Sequence, residues 1–292
     1  MYLTYYIRLF YRILITIMLL LPIAVNADDI VLMANKMSPV LLQLKAEFEQ
    51  KTNAFKVSIF TQDHPTVFPE NSYIVNVGMD TISPFFRKKA AGIVSILVTK
   101  NQNLQLSNQS AIYVEPPLER QFRLALQLFP NSKIGILIAD ERAKKQIHKD
   151  LTEQQYSVLN IVTLSDHESL NQALFEVLKK SDVLLGVYDK KIYNSKNIKN
   201  ILITSYRQQK VLIGPSKAYL KAGSFASTFS NLSHITHRLI DILVTHKSTG
   251  QWLDAGYNPY YEIVFNKQVG NSLNIQFPDP ETVLNNMRGQ NE

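Results

Sequence analysis

The chain has 292 residues, of which 46% are hydrophobic and 19% charged, and its formal net charge is +7. That length is enough for two medium α/β domains, and the composition is typical of a globular protein. The absence of cysteine excludes disulfides, thiolate metal ligands, cysteine nucleophiles and an N-terminal lipid anchor. The sequence also lacks a dense basic block or nucleic-acid motif, so we expect no nucleic-acid partner.

The first 27 residues have the three parts of a secretory signal peptide. Arg8 and Arg12 precede an apolar run over 13–25, which is too short for a comfortable membrane span. Small or short side chains follow at 25–27, where a signal peptidase reads the chain. We therefore expect residues 1–27 to be a signal peptide that directs the protein to the periplasm. The alternative is an uncleaved anchor, which would leave the same domain tethered outside the cytoplasm.

Beyond the signal, short apolar runs alternate with helix-length amphipathic segments. The predicted strands are Ile30–Ala34, Phe55–Phe60, Tyr73–Val77, Ile93–Val98, Ala111–Val114, Lys133–Ile138, Ser157–Val162, Val183–Val187, Lys210–Ile213 and Phe225–Thr228. Several are continuously apolar, which is typical of strands buried on both faces of a parallel sheet. The predicted helices, with apolar residues at 3.6-residue spacing, are Pro39–Thr52, Leu118–Leu128, Leu170–Lys180, Ile198–Gln209 and His234–His246.

This alternation predicts an α/β fold with doubly wound parallel sheets. It breaks at 129–132 and then restarts, so we expect two lobes, 28–130 and 131–259, with a cleft between them. The remaining residues, 260–292, contain one extended piece, a short helix and two prolines. We expect this last segment to cross back between the lobes.

Four segments between residues 111 and 287 resemble a known family. They cover 115–138, 182–189, 213–227 and 264–278, and they occur in the order that the family has them. The first has an acidic residue, a proline and an Arg-Gln helix that leads into a Gly-containing strand. In these motifs the chain is similar to the TrpX-like substrate-binding proteins of ABC transporters, and the resemblance fades over 28–110. It implies two hinged lobes of the type 1 periplasmic-binding-protein fold, a small organic ligand and a membrane permease as partner.

Ligands of doubly wound sheets bind outside the carboxyl ends of the strands, and this rule selects the loops after the predicted strands. The candidate ligand-binding residues are Asp80, Thr81, Ser83, Glu115, Tyr188, Asp189, Tyr193, Ser216 and Tyr219. Backbone N–H groups with the Thr81 and Ser83 hydroxyls would suit a carboxylate or phosphate, and helix capping by Asp80 or Thr81 is the alternative. Tyrosines beside Asp189 would suit an aromatic or cationic ligand, and ordinary half-buried tyrosines are the alternative.

The sequence contains no Gly-x-Ser-x-Gly turn, glycine-rich phosphate loop or convincing carboxylate pair. We therefore expect no enzyme activity, catalytic residue, metal or cofactor. The predicted function is the solute-binding component of an ABC-type uptake system, acting as a monomer that delivers a small organic ligand, amino acid-like or similar, to a membrane permease. The alternative is a periplasmic sensory module that passes its signal to a membrane receptor or kinase.

Overall fold

The computed structural model describes residues 28–78, 82–106 and 109–289. The predicted signal peptide and the candidates Asp80 and Thr81 lie outside these residues. Within the described ranges, no helix is both long and apolar enough to cross a membrane.

Twelve strands in the described residues form two six-stranded sheets. The strands are β1 (Asp28–Ala34), β2 (Phe55–Thr61), β3 (Tyr73–Val77), β4 (Gly92–Val98), β5 (Ser110–Tyr113), β6 (Ile134–Ile138), β7 (Leu159–Thr163), β8 (Val183–Leu185), β9 (Val211–Ile213), β10 (Ala226–Phe229), β11 (Gly256–Tyr257) and β12 (Glu262–Phe265). Their order is β2-β1-β3-β4-β5-β11 in the first sheet and β7-β6-β8-β9-β10-β12 in the second. All pairings are parallel except that of β10 with β12, which confirms the predicted α/β class.

Helices connect the strands and cover both sheets. They are α1 (Pro39–Lys51), α2 (Pro84–Lys89), α3 (Lys100–Leu106), α4 (Leu118–Leu128), α5 (Glu141–Asp150), α6 (Glu153–Ser157), α7 (Leu170–Lys179), α8 (Ile198–Arg207), α9 (Lys217–Ala222), α10 (Leu232–Thr249), α11 (Lys267–Ser272) and α12 (Pro280–Gly289). The five helices predicted from periodicity are all present, within three residues at either end. The 310 turn Leu164–Asp166 follows β7.

Each lobe has its own core. In the first lobe, α1 contributes Leu44 and Phe48, which pack with Leu32 and Val75 of the sheet. In the second lobe, all of β6 is buried, as its uninterrupted apolar sequence predicts. Each fully buried side chain of this size stabilises its lobe by about 1.5–3 kcal/mol.

The chain passes between the two lobes three times. The first passage joins β5 to α4, the second joins β10 to α10, and the third joins β11 to β12. Hydrogen bonds tie these passages to each other: the Ser230 hydroxyl donates to the Tyr260 carbonyl at 2.7 Å, and the Arg120 guanidinium donates to the Asn258 carbonyl at 2.8 Å. Relative rotation of the lobes is therefore confined to three short, mutually bonded segments.

This packing corrects the predicted division of the chain. Helix α4 packs through Phe122 into the core of the second lobe, so that lobe begins before residue 131. Helix α10 buries Leu239 and Ile242 in the first lobe, and β11 extends the first sheet beside β5. The segment after residue 260 supplies β12 and α12 to the second lobe. Periodicity shows that a helix has a face to bury, but it does not show against which sheet that face will pack.

Candidate functional site

The first passage between the lobes places a carboxylate at the carboxyl end of β5. Glu115 follows β5 by two residues, and its Oε1 accepts a hydrogen bond from the backbone N–H of Lys100 at 2.7 Å. Its Oε2 is buried and has no hydrogen-bond partner in the described part of the chain. Burial raises the pKa of Glu115 above its ordinary value, and the N–H of Lys100 offsets only part of that effect.

Lys100 links this position to the second lobe. It is the first residue of α3, and its Nζ lies 3.6 Å from Oδ1 of Asp150 at the end of α5. The same ammonium lies 5.9 Å from the centroid of the Tyr257 ring. The edge of that ring meets Tyr113, with centroids 5.3 Å apart. Charged and aromatic groups of both lobes therefore meet around the first and third passages.

Tyr188 approaches Glu115 from the second lobe. It follows β8, and 43% of the residue is exposed. Burial and then the charge of Glu115 raise the pKa of the Tyr188 phenol. The pKa of Tyr257 is raised by burial first and by the carboxylates of Asp150 and Glu115 next. Glu115 and Tyr188, both predicted as ligand residues, thus lie in different lobes and near enough for the charge of one to act on the pKa of the other.

The structure gives other candidates structural roles. Tyr193 and Tyr219 are buried in the core of the second lobe, with ring centroids 5.8 Å apart, so the prediction that they line the ligand site is corrected. Asp189 accepts the N–H of Ala139 at 3.1 Å and the N–H of Lys191 at 2.9 Å. Through these two hydrogen bonds, its carboxylate holds the loop after β6 and the loop after β8 in place.

The two serine candidates lie at helix N-termini. Ser83 is exposed and caps the six-residue α2, because its Oγ accepts the N–H of Phe85 at 3.3 Å. Ser216 precedes α9 without making a side-chain cap, and it is half-buried at the carboxyl end of β9. Of these two hydroxyls, only that of Ser216 is left uncommitted by helix capping.

An open groove of about 270 Å³ lies elsewhere on the second lobe. Its walls are Leu220, Lys221, Phe265, Asn266, Lys267 and Gln268. Ala226 at the start of β10 pairs with Phe265 at the end of β12, so the groove lies at the amino ends of the parallel strands. Since ligands of such sheets bind at the carboxyl ends, this groove is a poor candidate for the ligand site. The described residues also contain no group of three metal-ligating side chains.

Three solved structures are similar to the chain over most of its length. A conserved domain protein from Vibrio cholerae has 15% identity and a TM-score of 0.51, and the match covers 89% of this chain and 98% of that one. An ABC domain from Streptococcus pneumonia, in complex with L-Trp, has 14% identity and a TM-score of 0.50, with the same coverage. The ligand-free, open substrate-binding protein with adhesive properties from Clostridium difficile has 13% identity and a TM-score of 0.64, covering 87% of this chain and 97% of that one.

The similarity extends over both sheets and the passages between them, because nearly the whole of each solved chain is covered. The chain has the type 1 periplasmic-binding-protein fold. The fold predicted from the sequence, and its likeness to substrate-binding proteins of ABC transporters, are therefore confirmed. No family model and no curated protein matches the sequence. By their descriptions, one of these neighbours is a substrate-binding protein and another is in complex with L-Trp.

Sequence reasoning missed Lys100, which donates to Glu115, and the two residues that lie near the Lys100 ammonium. Lys100 lies two residues after the end of β4, so the rule of strand carboxyl ends could have selected it. Asp150 lies at the far end of a helix, and Tyr257 lies in an edge strand of two residues. No local pattern could place these two residues near Lys100.

We expect the Glu115→Gln substitution to change the pH dependence of stability. Because the folded-state pKa of Glu115 is raised, the folded protein holds this proton more tightly than the unfolded chain does. The wild type therefore loses stability as pH rises through the unfolded pKa, about 4.3, toward the folded one, and Gln at this position cannot. The variant should therefore lose less stability than the wild type as pH rises from 4 to 8.

Urea unfolding at several pH values measures this difference. Glu168→Gln is the matched control, since Glu168 is exposed on a loop. If the free energy of unfolding changed with pH by the same amount in wild type and in Glu115→Gln, Glu115 would not ionise in an unfavourable environment.

Proposed function

We propose that the protein is the extracytoplasmic solute-binding component of an ABC-type uptake system, which captures a small organic ligand between its two lobes. The observation that carries this proposal is the type 1 periplasmic-binding-protein fold, whose two lobes are joined by three short passages with the carboxylate of Glu115 at the first of them. Ser216 of the second lobe and Asp80, Thr81 and Ser83 of the first are proposed to contribute further polar contacts.

Closure of the lobes follows from the geometry of the three passages. A ligand that touches both lobes makes its full set of contacts only when they are together, so it stabilises the closed form relative to the open one. The closed form would then present one surface from each lobe, side by side, to a membrane permease. In this proposal the chain reaches the periplasm through the signal peptide at 1–27 and acts as a monomer, without catalysing a reaction.

A thermal-shift screen of the full chain against amino acids, amines, nucleosides, sugars and small organic acids tests the function. A ligand present at 100 times its Kd should stabilise the protein by about 2.7 kcal/mol. For a chain of this size, that corresponds to a rise in Tm of roughly 5–10 °C. The bound compound should be recovered chemically unchanged. Chemical conversion of the compound, or no shift with any class, would contradict the proposal.

A further inference from the structure

The positive charge of the protein is concentrated in one segment of the chain. Residues 190–240 contain nine lysines and arginines, spread along the segment, and no aspartate or glutamate. They are Lys190, Lys191, Lys196, Lys199, Arg207, Lys210, Lys217, Lys221 and Arg238. The whole chain has 31 basic and 24 acidic residues, so the rest of it has 22 and 24. This segment therefore supplies more than the entire net charge of +7.

Helices from this part of the chain lie on one face of the second sheet. There α7, α8 and α9 pack side by side, and their apolar side chains form one cluster with those of β6, β8 and β9. Helices α4, α5 and α12 cover the opposite face. The Asn200 amide of α8 donates to the Asn171 amide oxygen of α7 at 2.5 Å, so the outer sides of these two helices form a continuous surface.

This surface, which we call the basic face, combines cations with exposed apolar side chains. Its members are Lys179, Lys199, Arg207, Phe175, Ile203 and Tyr206. Phe175 lies one turn beyond Asn171, and Ile203 lies almost one turn beyond Asn200, so both follow the bonded asparagines on adjoining rows. Phe175 is 58% exposed and Tyr206 is 51% exposed. An exposed apolar patch among polar groups marks a surface that binds a protein or a membrane.

The cations of the basic face have no acidic partner within the described ranges. The nearest carboxylates along the chain, Glu176 and Asp182, are paired with Lys180 at 3.0 Å and with Lys210 at 3.4 Å. The basic face therefore presents three unneutralised positive charges, which favour an anionic partner.

An anionic phospholipid surface fits this composition better than an acidic protein does. The centres of protein interfaces are depleted in charged residues, and lysine is rare there. Helices that lie on membranes instead carry lysine and arginine beside bulky apolar side chains, and tyrosine is enriched at the level of the headgroups. The long stems of lysine and arginine allow their charges to reach phosphates while apolar groups enter the interface.

We propose that the basic face binds the surface of an anionic phospholipid bilayer, with Phe175, Ile203 and Tyr206 among the headgroups and the three cations against phosphates. The basic face covers the second sheet and is not part of the passages between the lobes, so this inference goes beyond the proposed capture of a solute and depends on no ligand. Such binding would keep the protein close to a membrane permease.

Vesicle flotation of the exported protein tests the inference. The probes are vesicles of phosphatidylcholine alone and vesicles with equal parts of phosphatidylcholine and phosphatidylglycerol. Wild type should bind the anionic vesicles and not the neutral ones, and added salt should weaken this binding. The triple substitution Lys179→Gln, Lys199→Gln and Arg207→Gln should weaken it by about 100-fold, from about fivefold for each charge. Phe175→Gln keeps the charge and should weaken binding by about three- to tenfold.

The matched control is the triple substitution Arg142→Gln, Lys145→Gln and Lys149→Gln. These exposed side chains lie on α5, which covers the opposite face of the second sheet, and their loss removes the same charge. The control should weaken binding by less than about threefold, because a sheet and two layers of helices separate the two faces by more than the Debye length of about 8 Å. Both triple variants should unfold at the same urea concentration as wild type, since all six side chains are exposed.

Three outcomes would overturn the inference. They are failure to bind anionic vesicles, equal binding to neutral and anionic vesicles, and equal losses of binding in the two triple variants. Binding to poly-L-glutamate but to neither kind of vesicle would assign the basic face to an acidic protein instead. Solute binding is measured separately by thermal stabilisation, so none of these results would contradict the proposed function.

Discussion

Gln121→Leu should lower the free energy of unfolding by about 2–4 kcal/mol. The Gln121 side chain is buried in α4, where its Nε2 donates to the Gly214 carbonyl at 2.7 Å. Its Oε1 accepts the backbone N–H of Thr228 at 3.2 Å and the Thr228 hydroxyl at 3.0 Å. Leucine has a similar volume but no polar atoms, so the N–H of Thr228 would remain buried without its partner.

Urea unfolding measures the loss, and Gln127→Leu is the matched control. Gln127 lies on the same helix, only partly buried, and its side chain makes no hydrogen bond in the described part of the chain. The control should change stability by less than about 0.5 kcal/mol. Losses of equal size in the two variants would show that the bonds of Gln121 do not hold α4 to the second sheet. Because α4 begins directly after the first passage, the same bonds fix the second-lobe end of that passage.

Gly92→Ala should destabilise the first lobe by about 1–3 kcal/mol. A Cβ on Gly92 would lie 2.1 Å from Cζ2 of Trp252, which is far inside van der Waals contact. The indole has little room to move, because it stacks on His246 with centroids 3.9 Å apart. His246 is held in turn by Tyr73, whose hydroxyl lies 3.1 Å from Nδ1 of the imidazole. Relief of the clash would therefore disturb the whole cluster.

Intrinsic fluorescence gives a direct reading, since Trp252 is the only tryptophan of the chain. Displacement of the indole from its stack should shift its emission to longer wavelength as stability falls. Gly256→Ala is the control, because a Cβ there has no neighbour nearer than 3.9 Å. Replacing Trp252 with phenylalanine in the Gly92→Ala background should recover part of the loss, as expected for directly coupled sites. Unchanged emission and stability in Gly92→Ala would contradict the close packing.

The positions of strands and helices could be predicted because local physics specifies them. The run Ile134–Ile138 is apolar at every position except Gly135, and such a strand is stable only when both faces are covered, as they are in β6. Helix α4 occupies the predicted residues, since its apolar side chains repeat with the helical period. Helix α12 was missed: its buried residues Val283, Leu284 and Met287 are too few to stand out beside two prolines.

The candidate site could be predicted only in part. The strand-end rule selected Glu115 and Tyr188, which lie in different lobes and near enough for the charge of Glu115 to raise the pKa of the Tyr188 phenol. The same rule selected Tyr193 and Tyr219, which pack into a core, because sequence position does not specify the direction in which a side chain points once neighbouring helices are in place.

The sequence by itself determined the two-sheet α/β character of the protein. Whether an apolar run or an amphipathic face must be buried depends on only a few neighbouring residues of the chain. The tertiary structure alone decided that α10 and β11 return to the first lobe, and that Glu115, Asp150 and Tyr257 lie around Lys100. These contacts join residues that are far apart in sequence. The packing and charge interactions that stabilise them exist only after the lobes have formed.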